Sequence, residues 1–167
     1  MKKWLLAFTA TICITSTAQA ASVTSVLDRI SSPTYTEHIT TDERQTLCLA
    51  LNVYHEARGS TRQDMAGVAW VTKNRARYSG KTYCQTIWEP GQYSWTTRSA
   101  NSLVPREMAA WHRVVGISHQ VMQGEIRDPT NGANTFYNSR LGIPRWTANG
   151  TGRITIGAHT YVRIRNR

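Results

Sequence analysis

The cysteines constrain this chain most, because their number and placement bear on both compartment and topology. Three occur in 167 residues. Cys13 lies in an N-terminal stretch with the three parts of a secretory signal peptide. Lys2 and Lys3 form a basic start, Trp4 to Ile14 an apolar run, and Ala18-Gln19-Ala20 a small-x-small cleavage site. Cleavage is expected after Ala20, the alternative being an uncleaved N-terminal anchor. The apolar run is short for a bilayer span, and no other segment is apolar enough to cross a membrane. Export leaves Cys48 and Cys84, an even pair in an oxidising compartment, and predicts that they form a disulfide. In the chain-entropy picture such a bond contributes roughly 3–4 kcal/mol. A metal site at the two cysteines would need further ligands close in sequence, and none stands at ligand spacing.

Cleavage would take two lysines and no acid from a formal charge of +10, leaving +8. A basic exported protein suits an anionic surface. Peptidoglycan, other wall polymers and anionic phospholipid fit that compartment, export argues against nucleic acid, and the plainer alternative is that the charge only confers solubility. Residues 21–41, rich in Ser, Thr and Pro, are expected to be a tether, and residues 42–167 the folded domain.

Within that domain Asp42 reads as an N-cap with Gln45 in the capping-box position. Leu47, Leu51 and Tyr54 follow at helical spacing, and Gly59 reads as the stop. A second helix is expected from Thr61, with Asp64 in the box position and Met65, Val68, Ala69 and Thr72 facing the core. It stops before Gly80. A short helix at Cys84–Trp88 precedes an aromatic loop. A third long helix is expected from Pro105, with Met108, Trp111, Val115 and Met122 on its inner side and Gly124 at its end. Ala133–Asn138 and Arg153–Arg165 carry β-branched and aromatic residues in short runs, the latter broken at Ile156-Gly157-Ala158 as a hairpin would be. The class is α+β, mainly helical, with a small late β element.

Chemistry points first to Glu56. It sits in the last turn of the first helix and shares a stripe with Cys48 and Asn52 at i, i+4 and i+8. A helix C-terminus disfavours a carboxylate, and apolar surroundings push the same way. Both favour the protonated form, as a general acid for glycoside cleavage requires. The plainer reading is a surface glutamate paired with Arg58 or Arg62. His55-Glu56 does not open a zinc-protease motif, because Gly59 stands where the second histidine belongs. His38, His112, His119 and His159 have no ligand spacing, and no G-x-S-x-G is present.

Four ordered motifs carry a resemblance over roughly residues 45–162. Tyr54-His55-Glu56-Ala57-Arg58-Gly59 runs on to Gly67-Val68-Ala69-Trp70-Val71 and Asn74-Arg75. Gly91-Gln92-Tyr93-Ser94-Trp95 follows, then Gly132-Ala133-Asn134-Thr135-Phe136-Tyr137-Asn138, then Ile156-Gly157-Ala158-His159-Thr160-Tyr161. Together they resemble the cell wall hydrolase family typified by the spore-cortex-lytic enzyme SleB. The chain departs from the family at Ser60, often acidic there, and at Tyr93, where phenylalanine is common.

The resemblance implies a lysozyme-like fold, cleavage of peptidoglycan glycan strands by lytic transglycosylation, and Glu56 as the catalytic residue. Gln92, Tyr93, Ser94, Tyr137, Asn138 and His159 are candidates to bind the glycan, since aromatic faces stack on sugars and polar groups bond hydroxyls. Core roles for Tyr93 and Tyr137, and a buried carbonyl partner for His159, are the structural alternatives. No cofactor, metal or nucleic-acid partner is expected, and a monomer is. The rival functions are a zinc amidase at the stem peptide, a lysozyme-type muramidase (a phage endolysin included), and a non-catalytic wall-binding module.

Overall fold

The computed structural model describes Leu27 and residues 40–165. The expected signal peptide, most of the expected tether and His38 lie outside the described residues. Leu27 is helical and buried in the core.

Helix α1 (Thr41–Ala57) is the centre of the fold. Cys48 through Tyr54 are all buried, and a helix apolar nearly all round must be surrounded. It packs against α2 (Arg62–Ser79), α3 (Tyr83–Trp88) and α5 (Met108–Met122). A single turn, α4 (Ala100–Leu103), lies between α3 and α5.

The helix ends differ from expectation in detail. The α1 cap is Thr40, not Asp42: its hydroxyl accepts from the Glu43 N–H at 3.2 Å, and Glu43 answers from Oε2 to the Thr40 N–H at 2.8 Å. Asp42 instead sits in the first turn, where a negative charge suits the dipole. At the other end Gly59 does not take the left-handed cap conformation; Arg58 is the C-cap and the Ser60 N–H closes onto Ala57 O at 2.9 Å. Thr61 caps α2 and Gly80 ends it with φ 67°. Helix α5 starts at Met108, later than Pro105, and its buried face is Ala110, Trp111, Val114, Ile117, Ser118 and Val121. Met108 is exposed, so the expected inner stripe was rotated on the helix. Gly124 follows with φ 78°.

Three strands make the late β element: β1 (Thr135–Asn138), β2 (Thr151–Ile156) and β3 (His159–Arg163). They form one antiparallel sheet in the order β1-β3-β2, with Phe136 opposite Tyr161 and Asn138 opposite His159. The hairpin bends at Gly157-Ala158, as the sequence pattern indicated. Strand β3 is central and buried and faces α2: a Cβ on Gly67 would lie 2.6 Å from the Tyr161 ring. The glycine is what lets strand and helix approach so closely. Cys48 and Cys84 form the expected disulfide, Cα–Cα 5.3 Å, which ties α1 to α3.

Candidate active site

The stripe Cys48, Asn52, Glu56 on α1 does three jobs. Cys48 bonds α3. Asn52, fully buried, accepts from Trp95 Nε1 at 3.1 Å and donates to Thr72 Oγ1 at 3.0 Å. Thr72 also shares a 3.0 Å bond with the Tyr93 hydroxyl. The chain Trp95–Asn52–Thr72–Tyr93 therefore fixes the aromatic loop against α1 and α2, with every buried polar group along it partnered. One turn beyond Asn52 the stripe reaches Glu56, half-buried at the floor of a cavity.

That cavity measures about 350 Å³. It brings together Glu56 and all six expected glycan-binding residues, Gln92, Tyr93, Ser94, Tyr137, Asn138 and His159. Arg75 and Phe136 complete the wall, and sequence reasoning had not assigned either to the site. Arg75 had a signal, since Asn74-Arg75 belongs to one of the motifs. Its Nε donates to Asn134 O at 2.5 Å, and its guanidinium lies 5.3 Å from the Tyr93 ring centre. The Nη1 atom is buried with no hydrogen-bond partner among the described residues.

Tyr93 is mostly core, with its hydroxyl spent on Thr72 and only part of the side chain at the cavity. Tyr137 is half-buried and meets Trp146 edge-on at 6.4 Å. Asn138 is exposed and also caps the next turn through Oδ1 to the Arg140 N–H. Gln92 and Ser94 stay accessible.

His159 does not serve a carbonyl. Its Nδ1 lies 3.0 and 3.1 Å from the two oxygens of Asp64, whose side chain is fully buried. Asp64 also accepts from the Tyr161 hydroxyl at 2.5 Å, from the Ala158 N–H at 3.1 Å and from Ser60 Oγ. Burial pushes this carboxyl up, but the bonds from His159, Ser60 and Tyr161 outweigh it and hold it below the usual range. An ionised carboxylate only accepts, so Nδ1 carries the hydrogen and Nε2 is left for the cavity. The expected capping box at Asp64 is thus half made. Its N–H bonds Thr61, while its carboxylate holds the hairpin.

Glu56 makes no hydrogen bond or ion pair among the described residues. The expected alternatives for it are taken: Arg58 pairs with Glu107 at 2.8 Å, and Arg62 bonds Gln120 at 2.7 Å. His55 is stacked on Trp95 and bonded to Leu103 O at 3.0 Å. Burial pushes the Glu56 carboxyl above the usual glutamate range, against the opposing pull of His159, Arg75 and Arg98. No other carboxylate lines this cavity. Glu89 is held by Lys81 at 2.6 Å, Glu107 by Arg58, and Asp64 is sealed behind His159. Among the described residues no group of three or more His, Cys, Asp or Glu side chains is placed to hold a metal, and no helix is long and apolar enough to cross a membrane.

Comparison with known proteins bears on the family and the fold. The sequence pattern of a family described as cell wall hydrolase matches residues 59–162, more than half of the chain and beginning just past Glu56. The fold is similar to the catalytic domain of the germination-specific lytic transglycosylase SleB from Bacillus anthracis. The TM-score is 0.60 at 23% identity, covering 75% of this chain and 97% of that one. It is also similar to the catalytic domain of the Bacillus cereus SleB protein, with TM-score 0.52, 25% identity and coverage of 72% and 91%. No curated protein matches the chain.

Proposed function

The chain belongs to the cell wall hydrolase family, and from that premise we propose that it is an exported enzyme that cuts peptidoglycan glycan strands between MurNAc and GlcNAc as a lytic transglycosylase, with Glu56 as acid and then base. The observation that carries the reading is a half-buried carboxylate, unpaired among the described residues and shifted toward its protonated form, in a cavity lined by no second one. A hydrolase of the ordinary two-carboxylate kind needs an acid and a separate base or nucleophile on opposite sides of the sugar. One carboxylate is enough when the nucleophile comes from the substrate. The Bacillus anthracis relative is named for the same chemistry.

In the proposed reaction Glu56 gives its proton to the bridging oxygen as the C1–O bond of MurNAc breaks. The resulting carboxylate takes the proton of the MurNAc C6 hydroxyl as O6 bonds to C1. The products are a free GlcNAc 4-hydroxyl and a 1,6-anhydro-MurNAc end. No water is consumed, and Glu56 ends protonated as it began. His159 is held at fixed orientation by Asp64, so its Nε2 presents a rigid polar point to the sugar. Tyr137 and Phe136 offer ring faces, and Gln92, Ser94 and Asn138 offer hydrogen bonds. Residues 1–20 act as the export signal and 21–41 as a tether in this reading.

Mass spectrometry of muropeptides released by the purified protein tests the chemistry. Anhydro ends, lighter by one water than reducing ends, are expected. Reducing-end MurNAc alone would return the muramidase reading, and cleavage at the lactyl amide the amidase. Glu56→Gln is expected to lower the release rate by about two orders of magnitude or more. Release at the wild-type rate would remove Glu56 from the mechanism and leave the fold with another acid.

A further inference from the structure

A second cavity, of about 170 Å³, lies at the same end of α1. Its wall includes Tyr54, His55, Arg58, Arg98, Arg106 and Glu107. Tyr54 and His55 immediately precede Glu56, so the two cavities open on neighbouring faces of one helical turn. The wall is also rigidly built. The Tyr54 hydroxyl accepts from the Arg106 and Glu107 N–H groups at 3.2 and 3.1 Å, and His55 is bonded to Leu103 O at 3.0 Å. These bonds fix the loop that carries Arg106 to the helix that carries Glu56. Arg98 is close enough to act electrostatically on both His55 and Glu56.

The charge in this cavity is unbalanced. Glu107 is its one acid and is matched by Arg58 at 2.8 Å. The guanidinium groups of Arg98 and Arg106 make no hydrogen bond or ion pair among the described residues. Two free planar cations in one cleft suit carboxylates, which arginine binds through paired N–H groups. Glycan alone has no use for them, because a strand of MurNAc and GlcNAc with its lactyl groups amidated is uncharged. The carboxylates of peptidoglycan are on the stem peptides, which branch from the lactyl group of the MurNAc that is being cut.

We propose that this arginine cleft binds stem-peptide carboxylates, so that the enzyme selects peptide-bearing over stripped glycan strands. The inference rests on the glycan-cleaving reading above and adds the part of the substrate that the glycan cavity does not address. Peptide binding beside Glu56 uses remote contacts to seat the reacting sugar.

The test compares kcat/KM for release of fragments from peptide-bearing strands and from the same strands stripped by an amidase, with the lactyl carboxylates so freed capped as methylamides to keep the stripped glycan uncharged. Wild type is expected to cut stripped strands roughly tenfold more slowly. Arg106→Gln should cut stripped strands at the wild-type rate while losing most of that preference, since its side chain is exposed and only its backbone is used structurally. Arg127→Gln, which removes an exposed arginine outside the cleft, should keep the preference. Equal rates on both strands for wild type, or an unchanged preference in Arg106→Gln, would overturn the proposal. Loss of preference in Arg127→Gln would also overturn it, by showing that bulk charge suffices. Failure of the transglycosylase reading is separate and shows as missing anhydro ends on either substrate.

Discussion

Glu56 is set apart from its neighbours by what it lacks. Glu43 is bonded to Thr40, Glu89 to Lys81 and Glu107 to Arg58, whereas Glu56 is half-buried without a partner among the described residues. Its raised pKa means that the folded state holds the proton more tightly than the unfolded chain does. Folding stability must therefore fall as pH rises from the unfolded value, about 4.3, through the folded one. Glu56→Gln, neutral at every pH, is expected to be more stable than wild type at neutral pH, with the gap closing below about pH 4. Thermal unfolding of the two proteins across pH reads this directly; equal melting temperatures at pH 7 would mean that the carboxylate is well solvated. If Glu56 acts first as an acid, wild-type activity should decline with rising pH along an apparent pKa above that of an ordinary glutamate. The same isolation that costs stability is what prepares the residue for proton transfer.

At the scale of elements, the site exists because a hairpin is pinned to α2 at two points. Asp64 receives four hydrogen bonds from the hairpin and from Ser60, and Gly67 leaves room for the Tyr161 ring. Gly157 serves the same junction. It has φ 58°, and a Cβ there would come within 2.9 Å of Asp64 and Ser60 atoms. Asp64→Asn replaces one of two accepting oxygens with an NH2 group that faces the donors of Ser60, Ala158, His159 and Tyr161, and should destabilise the fold by about 1–3 kcal/mol, the cost of leaving a buried donor unsatisfied. The pKa of Asp64 is depressed, so its contribution is complete above the unfolded value of about 3.9 and is lost as pH falls through the folded one. The deficit of the variant should accordingly shrink in strong acid. A variant that matches wild type in urea unfolding at pH 7 would show that the network is dispensable. Gly67→Ala opposes two effects: a better helix residue gains up to about 1 kcal/mol, and overpacking against a fully buried ring costs about 1–3 kcal/mol. Tyr161 is anchored at its hydroxyl and cannot withdraw, so the clash should win. Net destabilisation with slower glycan release is expected, and a more stable, fully active Gly67→Ala would show that the sheet can shift outward freely.

At the scale of the whole molecule, the disulfide joins the central helix to the small α3 just before the aromatic loop, and so reaches the site indirectly through chain placement. Replacing Cys48 and Cys84 together by alanine should lower the unfolding free energy by about 2–4 kcal/mol. Reductant should lower wild-type stability and leave the variant unaffected, and a variant as stable as wild type would reduce the bond to an ornament. Much of this molecule was legible in its sequence. The α1 and α2 core faces, the Gly80 stop, the Gly157-Ala158 bend and the cysteine pairing follow from local periodicity, backbone freedom and compartment, which act between near neighbours or on residue counts. The motifs named all six candidate glycan contacts and Glu56, and the fold places the seven around one cavity. The α1 cap and the α5 face are not legible locally, because Thr40 and Asp42 both stand where a cap could and because packing, not propensity, chooses the buried side of α5. What only tertiary structure decided was pairing at long range: that Arg58 and Arg62 turn to other partners and leave Glu56 alone, that Asp64 reaches across to His159, and that no second carboxylate faces the cavity. Hydrogen bonds and ion pairs depend on distances across 49 to 95 residues of chain, and local sequence carries no record of those.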